Sequence, residues 1–203
     1  MINKDCKAMS KRVILITGTP CVGKTSTAHA LAEKLDALYI GLTDLAKREN
    51  LILRKDEKRD SLIINEKKMK KRISQIIEKN DKKYVIIDGH YATSVVPYEL
   101  ITRVFVLRRD PVELRKLMKK CGFSDQKLTE NLAAEILDVC LVDALNVRGE
   151  AKVCELNVTG KTIEETVREM LEAIDNPTKC CVGIVDWLGN LESEGLLDEY
   201  LKI

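Results

Sequence analysis

Aromatic residues are scarce, at 4% of this 203-residue chain. Helix formers dominate instead, which argues against an all-β sandwich. There are only 4 prolines and 10 glycines, against 45% hydrophobic and 33% charged residues. That balance excludes collagen-like, low-complexity and wholly disordered chains. No apolar run approaches the roughly 18–20 residues needed to cross a bilayer, so no membrane partner is expected. The opening MINKDCKAMSKR has no apolar core of a secretory signal. The 7 cysteines (6, 21, 121, 140, 154, 180 and 181) are odd in number and lack paired C-x-x-C spacing. A disulfide scaffold or a four-cysteine zinc site is therefore not expected. The expectation is a soluble cytoplasmic protein with reduced thiols, with a nuclear location open if the source is eukaryotic.

What is present is a charge polarity hidden by a net charge of +2. Residues 1–127 carry 28 Lys/Arg against 16 Asp/Glu; residues 128–203 carry 6 against 16. A basic first part suits phosphate-bearing ligands or nucleic acid, and the acidic remainder suits a basic partner. Solvated helix faces explain the same numbers equally well.

Residues 1–11 read as a polar, frayed arm. RVILIT (12–17), ALYI (37–40), YVIID (84–88), RVFVL (103–107) and AKVCEL (151–156) read as short buried strands. Between them lie helical patterns over 26–36, 65–80 and 111–121. A single long helix is expected over about 124–147. Residues 42–64 suggest short helices and a mobile segment. Thr162 with Glu165 forms a capping-box pattern for a helix to about 174. The tail, 176–203, has an apolar stripe of Val185, Leu188, Leu191 and Leu196, suited to a docked helix or an interaction segment. Strands alternating with helices imply an α/β fold: three layers around a parallel central sheet, with ligands at the carboxyl ends of its strands.

The strongest chemical signal is Gly18-Thr19-Pro20-Cys21-Val22-Gly23-Lys24-Thr25, which satisfies G-x-x-x-x-G-K-[ST] between a strand and a helix. Glycines let successive N–H groups curl toward phosphate oxygens, and the helix start adds partial positive charge. Lys24 can reach the β- and γ-phosphates, and Thr25 can ligate Mg²⁺. Cys21 is either a small loop filler or a thiol activated by the helix terminus and Lys24. Asp88, at the end of YVIID, reads as a second Mg²⁺ holder acting through water, or else as a turn aspartate. His90 could orient an attacking water or contact phosphate. Arg108, Arg109 and Arg115 could face the transferring phosphates or be ordinary surface charge. The run Lys67-Lys68-Met69-Lys70-Lys71-Arg72 reads as solvated helix or as an RNA-facing patch.

GTPCVGKT, GLTDLAKREN, the D-x-H of Asp88-Gly89-His90, VFVLRRDP and GFSDQKLTENLAAEI occur in an order that resembles the adenylate kinase isoenzyme 6 family, also called coilin-interacting nuclear ATPase protein, and especially its archaeal branch. The resemblance spans about residues 12–175. It implies a P-loop NTPase fold of the nucleoside-monophosphate-kinase type, with ATP and AMP as substrates and Mg²⁺ accompanying ATP. It further implies ATPase activity, a role in small ribosomal subunit maturation and rRNA processing, and partners in a platform ribosomal protein and the pre-ribosomal small subunit. Carried onto this chain, Gly18, Cys21, Gly23, Lys24, Thr25 and Ser26 would contact ATP. A monophosphate-binding segment would occupy 41–64, with Asp44, Lys47 and Arg48 toward the acceptor. A lid would occupy 120–130, where Cys121 stands at the family's arginine position as Cys21 stands at its glycine. Lys161 would lie near the adenine. Lys24, Asp88 and His90 would be the catalytic group, with Thr25 and Asp88 holding the metal. Alternatives are an assembly ATPase with little kinase activity, a small-molecule kinase of shikimate type, and a nucleotide-gated binding module.

Overall fold

A computed structural model describes residues 11–56 and 61–201; of the arm expected at 1–11, only Lys11 lies within it. Strand β1 (Arg12–Gly18) occupies the centre of a five-stranded sheet. Its neighbours are β5 (Tyr84–Asp88) and β6 (Ile101–Arg108), with β2 (Leu38–Gly41) and β7 (Val153–Asn157) at the edges. The order is β2-β5-β1-β6-β7, and every pairing is parallel. The period-2 alternation of β1 explains its place. Val13 and Leu15 face one core, Ile14 and Ile16 the other, and all four are buried. A strand apolar on both faces is stable only with helices on both sides.

One covering layer holds α1 (Lys24–Lys34) and α8 (Ile163–Asp175), through Ala28, Leu31, Val167 and Met170. The other holds α2 (Leu42–Arg48), α3 (Glu66–Lys79), α4 (Ala92–Val95) and α7 (Val139–Arg148). In α3 the apolar residues Met69, Ile73 and Ile77 recur at helical spacing and are buried, leaving the basic residues outward. Asn65 caps it by accepting from the Lys68 N–H. The capping box of Thr162 and Glu165 is present on α8.

Three expectations change. Residues 42–64 are not short helices alone: after α2 comes an antiparallel pair, β3 (Ile52–Asp56) with β4 (Ser61–Ile64), separate from the main sheet. Helical propensity loses here to strand pairing, which pure periodicity cannot foresee. The long helix expected over 124–147 is two, α6 (Asp125–Ile136) and α7, broken at Asp138 with φ 58°. Arg108 accounts for the break, because its Nη2 donates to the Glu135 carbonyl at 2.8 Å and also to the Asp138 carboxylate. The end of α6 is thus capped by a buried guanidinium. Finally, Cys154 and Cys180 form a disulfide, so the thiols are not all reduced.

α5 (Pro111–Lys120) starts on Asp110, which accepts from the N–H groups of Val112 and Glu113. It packs with α6 and with the tail helices α9 (Trp187–Ser193) and α10 (Leu197–Tyr200) around a third apolar cluster. The tail is therefore docked, and of the expected stripe Leu191, Val185 and Leu196 join the contact while Leu188 does not. Leu188 is 41% exposed, while Trp187, Leu191 and Tyr200 are buried. Among the described residues no helix is long and apolar enough to cross a membrane.

Candidate functional site

β1, β5 and β2 end side by side, and their parallel register sets Ile16 beside Asp88 and Gly41 beside Asp88. The loop leaving β1 therefore faces the carboxylate ending β5. Gly18 has φ +136°, and a Cβ there would lie 2.5 Å from the Leu107 carbonyl oxygen. Only glycine fits that position. Gly23 stands at the N-cap of α1, so the helix opens directly at the loop and aims its free N–H groups and positive dipole end there.

Lys24 Nζ bridges back over the loop, donating to the carbonyls of Gly18 and Thr19, both at 2.8 Å. Desolvation within the loop lowers its pKa, and Cys140, Asp88 and other neighbours oppose that shift. Thr25 Oγ1 donates to Asp88 Oδ2 at 2.7 Å, and Tyr39 donates to Asp88 Oδ1 at 2.7 Å. Burial and that bond push the Tyr39 phenol up, so it stays a donor. Gly41 leaves room for the bond, since a Cβ there would meet the Tyr39 hydroxyl at 2.8 Å.

These groups line a cleft of about 360 Å³ with Pro20, Thr43, Asp44, Gly89 and His90. A second cleft of about 590 Å³ adjoins it, sharing Pro20, Thr43 and His90 and adding Tyr91, Leu62, Phe123, Lys127, Asn131 and others. A third, of about 460 Å³, is lined by Tyr39, Gly41, Asp44, Lys47 and Arg48. His90 thus stands at the junction of the first two. Its ring is exposed at the rim yet ringed by the cleft walls. That desolvation, then Lys24 and Lys127, lowers its pKa to about 4, leaving it neutral at physiological pH.

The expected residues separate into groups. Gly18, Gly23, Lys24, Thr25, Asp88 and His90 converge on the loop and the first cleft, and Ser26 follows on the exposed first turn of α1. Asp44, Lys47 and Arg48 gather around the third cleft. Cys21 adopts φ 65°. Its thiol is pushed up to about 11 by burial and by hydrogen bonding to Cys121, against a weaker opposing pull from Lys24. It is therefore a protonated filler, not an activated thiolate. Cys121, the C-cap of α5, reaches the loop through this contact. Lys161 pairs with Glu169 at 2.6 Å and lines none of these three clefts.

Of the three arginines, only Arg109 touches the loop, with Nε 3.4 Å from the Val22 carbonyl. Arg108 is buried in an ion network with Glu135, Asp138 and Glu155. Arg115 pairs with Glu199 of the tail. Neither is presented to a phosphate. Tyr39 and Glu135 were missed by sequence reading: Tyr39 lies outside the motifs, and Glu135 lies within GFSDQKLTENLAAEI, where nothing local marks it; only strand register and helix packing bring them to the loop.

The Thr25 hydroxyl and the Asp88 carboxylate are hard oxygen donors 2.7 Å apart at an open cleft, a set that fits Mg²⁺. Mg²⁺ keeps waters and phosphate oxygens for its remaining positions, so so few protein donors suffice.

A phosphate-binding loop at the end of a central parallel strand, with an acidic partner on the adjacent strand, defines the P-loop kinase class of fold. Solved structures agree on the fold. A gluconokinase from Sinorhizobium meliloti matches with TM-score 0.53 at 18% identity, covering 83% of this chain and 94% of that one. A shikimate kinase from Bacteroides thetaiotaomicron matches with TM-score 0.52 at 20% identity, covering 81% and 98%. The AAA domain family model matches residues 14–138. A Pyrococcus furiosus protein named "Putative adenylate kinase" is 40% identical over 175 residues, 86% of this chain and 91% of that protein. A Methanocaldococcus jannaschii protein of the same name is 38% identical over 174 residues, 86% and 92%. The chain belongs to the family of these archaeal proteins, within the AAA-domain P-loop group.

Proposed function

We propose that the protein is an ATP-dependent nucleoside monophosphate kinase of the adenylate kinase isoenzyme 6 type, converting ATP and AMP to two ADP. The observation that carries this reading is the junction at His90. A triphosphate-sized anion cradle and a second, nucleoside-sized cleft open onto one another there.

The loop N–H groups, the α1 terminus and Lys24 hold the donor phosphates. Thr25 and Asp88 would hold Mg²⁺, which neutralises phosphate charge when bound with ATP. The acceptor lies in the second cleft, between Thr43 and Leu62 of the 41–64 segment and Phe123 and Lys127 of the 120–130 segment. Tyr91 and Phe123 offer faces for a base, and Asn131 offers an amide. Lys47 and Arg48 extend the positive approach on the far side, where Asp44 offers a hydrogen-bond acceptor. The acceptor phosphate brings its own anionic oxygen, so the protein's task is to align and to stabilise charge. Closure of the 120–130 segment over the site would exclude water.

Hydrolysis is a second activity of the same site. A neutral His90 can accept a proton from water at the point where the acceptor phosphate would otherwise stand. The resemblance extends this ATPase to small-subunit maturation, with a platform ribosomal protein, the pre-ribosomal small subunit and RNA as partners. The outward basic residues of α3 supply a surface of suitable charge.

The test is steady-state ADP formation from Mg-ATP with and without a panel of nucleoside monophosphates. AMP should raise the rate well above hydrolysis, and His90→Ala should reduce hydrolysis more than transfer. If no monophosphate raises the rate, the kinase reading is wrong and the ATPase reading stands alone.

A further inference from the structure

One carboxylate on α6 connects the phosphate loop to the tail. Glu135 is 2% exposed. Its Oε2 accepts from the Thr19 hydroxyl at 2.5 Å. Its Oε1 accepts from Arg108 Nε at 2.9 Å, the Arg109 N–H at 3.1 Å and the Trp187 indole N–H at 3.1 Å. Four donors from three separate parts of the chain meet on this one group: the loop, the end of β6 and the first turn of α9.

The arrangement exceeds what packing needs. Arg108 is already neutralised by Glu155 at 2.8 Å. Glu155 in turn accepts from the Ile184 N–H at 2.9 Å, holding the chain that leads to Trp187. Thr19 is fully buried, and its carbonyl accepts from Lys24 Nζ at 2.8 Å. A continuous chain of bonds therefore runs from Trp187 through Glu135 and Thr19 to Lys24. A threonine hydroxyl held in this way fixes the peptide unit on which the Lys24 ammonium rests. The loop is thereby held open in the shape that a triphosphate must meet, and less ordering is required on binding.

We propose that Glu135 is a positioning residue of the phosphate loop, and that the tail completes the site by docking the Trp187 indole onto the same carboxylate. The proposal rests on the reading of the loop as the Mg-ATP site. Trp187 lies beyond the residues matched by the AAA family model, which end at 138. The tail is thus a second support for the loop, built outside the part that carries the motif.

The experiment titrates Mg-ATP calorimetrically into the full chain and into Thr19→Val, Thr19→Ser, Trp187→Phe and the Thr19→Val/Trp187→Phe double variant, with thermal melts of each. Loss of a single net hydrogen bond corresponds to roughly a 2- to 10-fold change in equilibrium. Thr19→Val and Trp187→Phe should each weaken Mg-ATP by about that factor. Thr19→Ser, which keeps the hydroxyl, should bind as the wild type does. The double variant should lose less than the product of the two single losses, because both act through one carboxylate. Trp187 is the only tryptophan in the chain, so wild-type emission should change on Mg-ATP addition and the change should vanish in Thr19→Val. Phenylalanine keeps the aromatic packing of position 187, so that variant tests the indole N–H in a folded protein. If Thr19→Val and Trp187→Phe bind Mg-ATP as tightly as wild type, or the double loss is simply multiplicative, the positioning role is refuted and the loop reading survives. If the folded wild type does not bind Mg-ATP, both readings fall together.

Discussion

Replacing Lys24 by methionine isolates the role of its charge, because the side chain keeps its length and apolar stem. The ammonium makes two bonds of 2.8 Å, to the Gly18 and Thr19 carbonyls. Its position is held partly at the cost of desolvation, as the lowered pKa shows. Methionine removes both the bonds and the desolvated charge, and these losses oppose one another. Lys24 itself lines the open cleft, so water can take the place of its ammonium against the two carbonyls. The unliganded variant should therefore melt within a few degrees of the wild type. Binding is different, because the ammonium must transfer from two neutral carbonyls to phosphate oxygens. A hydrogen bond to a charged partner contributes about 1.5–3 kcal/mol, so Mg-ATP affinity should fall roughly 10- to 100-fold. Turnover should fall further, by about 100-fold or more, if the same group stabilises charge as the phosphoryl moves. Calorimetry reads the first loss, and a coupled ADP assay at saturating ATP reads the second. Unchanged affinity and turnover in a folded Lys24→Met protein would show that the loop does not seat the triphosphate.

Arg108→Met should leave Glu135 and Glu155 buried without their cation, costing about 3–5 kcal/mol and lowering the urea midpoint sharply; a small shift would mean the network is not the keystone of α6 and the tail. Thr162→Ala removes the hydroxyl that accepts from the Glu165 N–H, leaving only the backbone half of the α8 capping box, and should cost about 1 kcal/mol by urea titration; a change below a few tenths would contradict the cap. The folded His90 pKa, about 4, lies below its ordinary 6.5. Between those values the unfolded chain binds the extra proton, so stability is present above pH 6.5 and is lost as pH falls toward 4. A His90→Asn variant should melt less pH-dependently than wild type across that window, and an identical pH dependence would disprove the shift.

The sheet was legible because its strands are short, apolar on both faces and bounded by turn signals. The loop was legible because G-x-x-x-x-G-K-[ST] carries its context with it. The α8 cap and the buried face of α3 followed from local spacing. What escaped was decided at a distance. Asp138 interrupts a continuous helical pattern because an arginine 30 positions earlier needs a partner there. The pairing of β3 with β4 hides in a charged stretch, and β3 is exposed over three successive residues. Trp187, not Leu188, turns inward because its N–H has a buried acceptor, a reason that apolar spacing does not contain. Arg108 and Arg109 are adjacent in sequence yet have opposite fates, one a buried core cation and the other a neighbour of the loop.

Among the described residues, the β3–β4 pair shares no ladder bond with the five-stranded sheet. Its residue Leu62 forms part of one wall of the larger cleft, whereas the loop and Asp88 belong to the sheet that forms its base. A shift of that wall would leave every interstrand bond beneath the reacting phosphates intact. On the kinase reading proposed above, width for the incoming base and precision at the phosphorus would fall to separate mechanical parts. Such a division would admit acceptors of different size without loosening the grip on the donor.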